Sequence, residues 1–210
     1  MELSTQISPV ITSLFRSGRR ATIYLAAVIA ILAIGGTVAY ARDQIVTLTF
    51  SGTAETSPTN LQQPNSSNDG DSFAGKSALG SFTVRNVRAI SNSLGSSDTC
   101  SGATLLYYPE LSGASVIRFD DGSMIAMNLT QGGDCIDLTT GLAHCTVTFQ
   151  IIGGSGRFVN ATGTLTMTET VGTVGLDALG NPVFFAATGK FTGTISGATD
   201  EKDHGNKQQR

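Results

Sequence analysis

From Gln44 onward the chain falls into short runs in which apolar and polar residues alternate. They read "IVTLTFSGT", "GSFTVRNV", "SVIRF", "SMIAMNLT", "HCTVTFQII", "TGTLTMTETV" and "VFFAATGKFTGTIS". A period of two sends successive side chains to opposite faces, so each run offers one face to a core and one to water. Turn residues interrupt the runs at short intervals, and no segment beyond residue 41 shows a helical period. The pattern calls for an all-β fold, an antiparallel barrel or sandwich.

Two stretches break it. Residues 54–76, "AETSPTNLQQPNSSNDGDSFAGK", are polar and proline-punctuated, and read as a long surface loop between the first two strands. Within it "NDGDS" has part of a calcium loop's composition but lacks the remaining ligand spacing, so a solvated loop is the better account. Residues 198–210 end in charged, apolar-free sequence and read as a disordered tail.

Two hairpins can be set by register. In "SVIRFDDGSMIAM" a three-residue loop, Asp120-Asp121-Gly122, sets Ile117 opposite Ile125 and Phe119 opposite Ser123. It gathers Ile117, Phe119, Ile125 and Met127 on one face, whereas a two-residue loop would mix the faces. The same reasoning in "CIDLTTGLAHC" selects the loop Thr139-Thr140-Gly141 and places Cys135 opposite Cys145. Directly opposed residues lie within disulfide reach, so Cys135–Cys145 is the expected bridge and Cys100 the leftover thiol.

The glycine cluster in "IIGGSGRFVNATGTLTMTE" invites a phosphate-binding reading, which fails on context. Gly154-Ser155-Gly156 lacks the third glycine of a dinucleotide fingerprint, and an alternating strand follows where a helix is needed. Glycines that let backbones approach in a coiled sheet explain it better. The Ala161-Thr162-Gly163 entry recurs as Ala187-Thr188-Gly189, with a fainter copy at Gly80. Gly153-Gly154-Ser155-Gly156-Arg157-Phe158, followed by Ala161-x-Gly163, resembles the signature of allene oxide cyclase and dirigent-type barrels, with Ser155 where threonine is usual. "DGSMIAMNL" and "GNPVFFAATGKFTGTISG" are similar to exported bacterial proteins of no known function. The resemblance implies a calycin-like up-and-down barrel of about eight strands over residues 42–197, often oligomeric in the plant relatives. No catalytic residue carries over.

The first 41 residues read as an address. Arg16, Arg19 and Arg20 precede an uncharged apolar run, Ala21 to Ala41, that closes on Ala39-Tyr40-Ala41. Basic residues, an apolar stretch and A-x-A make an export signal, although the run is also long enough for an uncleaved membrane-anchor helix. Either way the barrel would lie outside the cytoplasm, periplasmic or extracellular. Residues 42–210 carry ten basic and fifteen acidic side chains, so nucleic acid is an unsuitable partner. The membrane is met only through residues 21–41, if they remain.

Chemistry is sparse. His204 is in the tail and His144 falls on the solvent parity of Thr146 and Thr148, which gives no support to a catalytic triad or a metal site. No cofactor is called for. One exception stands out: Glu169 shares the parity of Leu165, Met167 and Val171, and Arg88 that of Phe82, Val84 and Ile90. Both would face inward, where an unpaired charge is costly, so they are expected either to pair or to sit at a wet barrel mouth, and are the candidate ligand-binding residues. The expected function is a non-enzymatic exported barrel that binds a small apolar ligand or acts through its surface. The alternative is a cyclase or isomerase with a hydrophobic substrate in the lumen. Cleavage is expected after Ala41: N-terminal sequencing of the exported protein should start at Arg42, and a form retaining residues 21–41 would establish an anchor instead.

Overall fold

The structure is a computed structural model that describes residues 43–199, so the expected signal or anchor segment, residues 1–41, and nearly all of the expected tail lie outside the described residues. Eight strands run in chain order: β1 (Gln44–Ser57), β2 (Ser66–Ser77), β3 (Gly80–Ser91), β4 (Leu105–Phe119), β5 (Met124–Asp137), β6 (Leu142–Ser155), β7 (Thr162–Leu176) and β8 (Pro182–Ser196). Each pairs antiparallel with its sequence neighbours, and β8 returns to β1, with Leu48 opposite Phe191, to close an up-and-down barrel. Closure leaves no sheet edge unpaired.

Alternation fills the lumen. Leu48, Ile117, Ile125, Val147, Phe149, Leu165, Met167, Phe191 and Ile195 are all fully buried, while the threonines at 47, 49 and 53 on β1 face water. One end of the barrel is packed with phenylalanine. Phe50 stacks on Phe73 with ring centroids 4.4 Å apart, and Phe119 meets Phe158 at 4.9 Å. Phe158 belongs to a single 3₁₀ turn, Gly156–Phe158, that crosses this end as a plug. The neighbouring Arg157 lies over the rings of Phe119 and Phe158 at 5.0 and 4.9 Å, 3.3 Å from Asp121, and donates to the Leu79 carbonyl. The glycine cluster serves this plug. A Cβ on Gly154 would lie 2.4 Å from the Met124 carbonyl oxygen and 2.5 Å from that of Phe158. It lets the plug lie against β5; it cradles no phosphate.

The expected loop at 54–76 is corrected: β1 continues to Ser57 and β2 begins at Ser66, which leaves only residues 58–65 between them. β2 escaped notice because its inward positions Asp69 and Asp71 are acidic, so its period of two carries no hydrophobic signal until Phe73. The hairpin at Asp120-Asp121-Gly122 has the expected register, with Ile117 opposite Ile125 and the Phe119 N–H donating to Ser123 O at 2.9 Å.

The second hairpin does not. Asp137 pairs with Leu142 around a four-residue loop, held by the Asp137 carboxylate accepting from Thr139 N (2.8 Å) and Thr140 Oγ1 (3.0 Å). One extra loop residue shifts every pair by one, which turns Cys135 outward opposite His144 and leaves Cys145 inward opposite Asp134. The expected Cys135–Cys145 bridge is therefore wrong. Cys135 bonds Cys100 in the β3–β4 connection, Cα to Cα 5.6 Å, and Cys145 is free and buried. The disulfide closes a span of 35 residues and pins that connection to the outer wall of β5. Peptide mapping without reductant should join Cys100 to Cys135, and Cys135→Ser should lower unfolding stability by about 3–4 kcal/mol on the loop-entropy scale, read from denaturant midpoints.

Candidate functional site

At the end of the barrel opposite the phenylalanine plug the lumen opens into a cavity of about 240 Å³. All eight strands line it. Its walls are largely apolar, built from Ala54, Ile90, Ile136, Ala143, Val171 and Phe185, and Asp69, Arg88 and Asp134 reach it from below. Tyr108 adds an aromatic face and Cys145 a thiol.

Beneath the cavity lies a buried charge cluster organised on one guanidinium. Arg88 is only 2% exposed. Its Nη1 donates to Glu110 Oε1 at 2.6 Å, and its Nη2 to Asp69 Oδ2 at 2.7 Å, Asp71 Oδ1 at 3.1 Å and Glu169 Oε1 at 3.3 Å. Asn86 fixes Asp71 from the side by donating through Nδ2 to Oδ2 at 2.8 Å. Arg88 and Glu169, the two residues singled out by parity, are thus brought together on β3 and β7, buried rather than at the rim.

Four further acids were not foreseen. Asp69 and Asp71 come from the stretch taken for a loop, where the spacing Asp69-x-Asp71-x-Phe73 was the available signal. Glu110 and Asp134 were hidden by two irregularities. Counting back by twos along β4 from Phe119 would put Leu111 inside, but the register slips between Ala89 and Ile90 of β3, so Glu110 pairs with Ile90 and turns inward while Leu111 is exposed. On β5 a slip between Leu129 and Gln131 does the same for Asp134. A bulge inverts parity for everything beyond it, and both bulges here re-aim an acid at the lumen. Gly189 completes the arrangement: a Cβ there would lie 2.8 Å from the Cβ of Glu169 and 2.8 Å from the Phe50 ring.

One arginine cannot neutralise so many carboxylates out of water, and protons make up part of the deficit. Burial, opposed by the attraction of Arg88 and reinforced by neighbouring acids, raises Glu110 and Glu169 to about 8 and Asp69 to about 7. Burial also raises Asp134. Burial by itself would disfavour the charge on Arg88, yet the surrounding acids hold it well above its usual value. Burial, with repulsion from Asp134 and Glu169, drives the Cys145 thiol well above the ordinary range, so it is no thiolate nucleophile. His144 stays on the outer wall against Thr170, 3.3 Å from its hydroxyl. Several buried polar atoms have no partner: Asn86 Oδ1, Arg88 Nε, Glu110 Oε2, Asp134 Oδ1 and Glu169 Oε2.

No protein-family model matches the chain, and no curated protein matches it.

Because the raised acids bind protons in the native barrel that the unfolded chain has already released, stability should fall as pH rises from about 4.5 through about 8. Denaturant midpoints at pH 5 and pH 8 measure this, and Glu169→Gln should flatten the slope by removing one titrating group. Arg88→Met should cost more at pH 8 than at pH 5, where protonation relieves the unpaired carboxylates. A wild-type midpoint higher at pH 8 would mean that the cluster is fully ionised.

Proposed function

We propose that the chain is an exported or envelope-associated small β-barrel protein, non-enzymatic, whose mouth binds a small apolar ligand. The observation that carries this reading is the cavity: apolar walls contributed by six of the eight strands, over a floor with unsatisfied polar atoms. Binding sites combine these two features, apolar area for affinity and a few placed polar groups for orientation. About 240 Å³ is room for roughly eight water volumes at ~30 Å³ each, which suits one ring with a short side chain. Export is supported by the Cys100–Cys135 disulfide, since such bonds persist in oxidising compartments, and by the leader-like residues 1–41. Self-association belongs to the same proposal; the β7–β8 hairpin exposes Val174, Leu176, Leu179 and Phe184, the apolar surface a second copy would cover.

One observation favours a second reading. Asp69 meets the cavity with its pKa raised by burial to about 7, and a carboxylic acid that keeps its proton near neutrality beside an apolar cavity is a competent proton donor. Together with the resemblance of Gly153–Phe158 and Ala161-x-Gly163 to allene oxide cyclase barrels, this supports a cyclase or isomerase acting on a hydrophobic substrate in the lumen.

Native mass spectrometry of the purified chain should reveal a co-purifying small molecule. Ala143→Phe, which projects a ring into the cavity, should abolish its retention while the denaturant midpoint stays near that of the parent. Retention unchanged by the ring would place the ligand elsewhere. Chemical conversion of the retained molecule by the parent, lost in Asp69→Asn, would move the assignment to the enzymatic reading.

A further inference from the structure

The floor of the mouth carries more anionic capacity than its single guanidinium answers. Five carboxyl groups, Asp69 and Asp71 on β2, Glu110 on β4, Asp134 on β5 and Glu169 on β7, surround Arg88 on β3. The remaining titratable groups at the cavity are Tyr108 on β4 and Cys145 on β6, while β1 and β8 contribute Ala54, Thr56 and Phe185. Neither supplies a positive charge. Among the unpartnered buried atoms at this floor, three are carboxyl oxygens (Glu110 Oε2, Asp134 Oδ1, Glu169 Oε2) and only one, Arg88 Nε, is a donor. Arg88, Glu110 and Glu169 are each more than nine-tenths buried. What this floor lacks is chiefly cationic donors.

An inorganic ion is a poor candidate. The carboxylates converge on the guanidinium rather than on a common empty point, and among the described residues no group of three acidic, histidine or cysteine side chains is placed to hold a metal. The charge must arrive on a molecule that can also use the apolar walls.

We propose that the mouth binds a small organic ammonium ion with an apolar body, its N–H groups donating to Asp134 and Asp69 and its body lying against Ile90, Val171 and Phe185. This rests on the reading of the mouth as a ligand site and names the ligand's class. Tyr108 and Phe185 present aromatic rings at the same cavity, and a ring face attracts a cation. The carboxylates gain charge-assisted hydrogen bonds, the strong kind.

Binding is coupled to a proton. The free cluster holds protons near neutrality because its acids are buried together. An incoming R–NH₃⁺ keeps its own three protons, and a carboxylic O–H of the cluster ionises. The products are R–NH₃⁺ paired with a carboxylate and one H⁺ released to the buffer.

The test is calorimetric titration of the full chain at neutral pH with three probes of one shape: benzylamine, benzyl alcohol and benzoate. Benzylamine should bind roughly tenfold or more tightly than benzyl alcohol, the effect of one charge-assisted bond, and benzoate should not bind. The benzylamine heat should differ between buffers of unlike ionisation enthalpy, in the direction of proton release. Asp134→Asn, with Asp69→Asn as a second near-isosteric variant, should weaken benzylamine about tenfold and leave benzyl alcohol unchanged. Equal binding of alcohol and amine would overturn the ammonium assignment and leave the apolar-ligand site standing. Preferred binding of benzoate would overturn it by making Arg88 the anchor. No binding of any probe to a protein with a native denaturant midpoint would overturn both the class and the site.

Discussion

A fully buried guanidinium shared by four carboxylates is the constraint around which this barrel is arranged. Arg88 gains only if it keeps its charge, and it keeps it only because Asp69, Asp71, Glu110 and Glu169 each give it an oxygen within 3.3 Å. The same cation holds those acids close, and burial, reinforced by repulsion among them, leaves protons on Asp69, Glu110 and Glu169 near neutrality. Replacing such a network by hydrocarbon would cost little stability and often adds some. What the network adds is therefore a charged floor beneath the cavity rather than net stability.

The barrel separates these two tasks along its axis. At the plugged end, Phe50, Phe73, Phe82, Phe119 and Phe158 provide large buried area, and Arg157 seals the plug through ring faces and Asp121 rather than by burying a lone charge. At the open end the same inward parity carries acids, an amide and a cavity. Antiparallel ladders, interrupted midway between β4 and β5, join the ends, and the closed sheet holds the polar end in place even though its interior supplies little hydrophobic stabilisation. The Cys100–Cys135 bridge adds a covalent constraint on the outside of the wall that bears Asp134.

Legibility in the sequence follows the same division. Where inward positions are apolar, alternation alone places the strands and even the register, as Ile117 against Ile125 demonstrates. The pairing of Arg88 with Glu169 was also within reach, because both lie on strands whose parity is set by hydrophobic neighbours on either side. Asp69 and Asp71 were lost for the opposite reason: β2 spends its inward positions on the site, so the signal that identifies a strand is the signal the site removes. Glu110 and Asp134 were beyond parity altogether. A bulge leaves almost no local trace in composition, yet it inverts the facing of every later residue, and the misjudged Cys135–Cys145 pair shows the same sensitivity to a single loop residue.

The failures therefore fall where the structure is chemically unusual, and their geometry explains how the site is made. Regular strands would have placed Leu111 over the cluster, leaving Arg88 with Asp69, Asp71 and Glu169 beneath an apolar ceiling. Pairing of β4 with β5 instead lapses between Pro109 and Ala114 and between Asn128 and Gly133, and both strands turn over together across the gap. That shared slip exchanges an apolar ceiling for Glu110, Asp134 and Tyr108 at one level of the lumen. It is the step that converts a packed core into a cavity with a charged floor. The local cost is several ladder hydrogen bonds, and the disulfide that follows on the outer face at Cys135 lies where such a weakened wall most needs a second attachment.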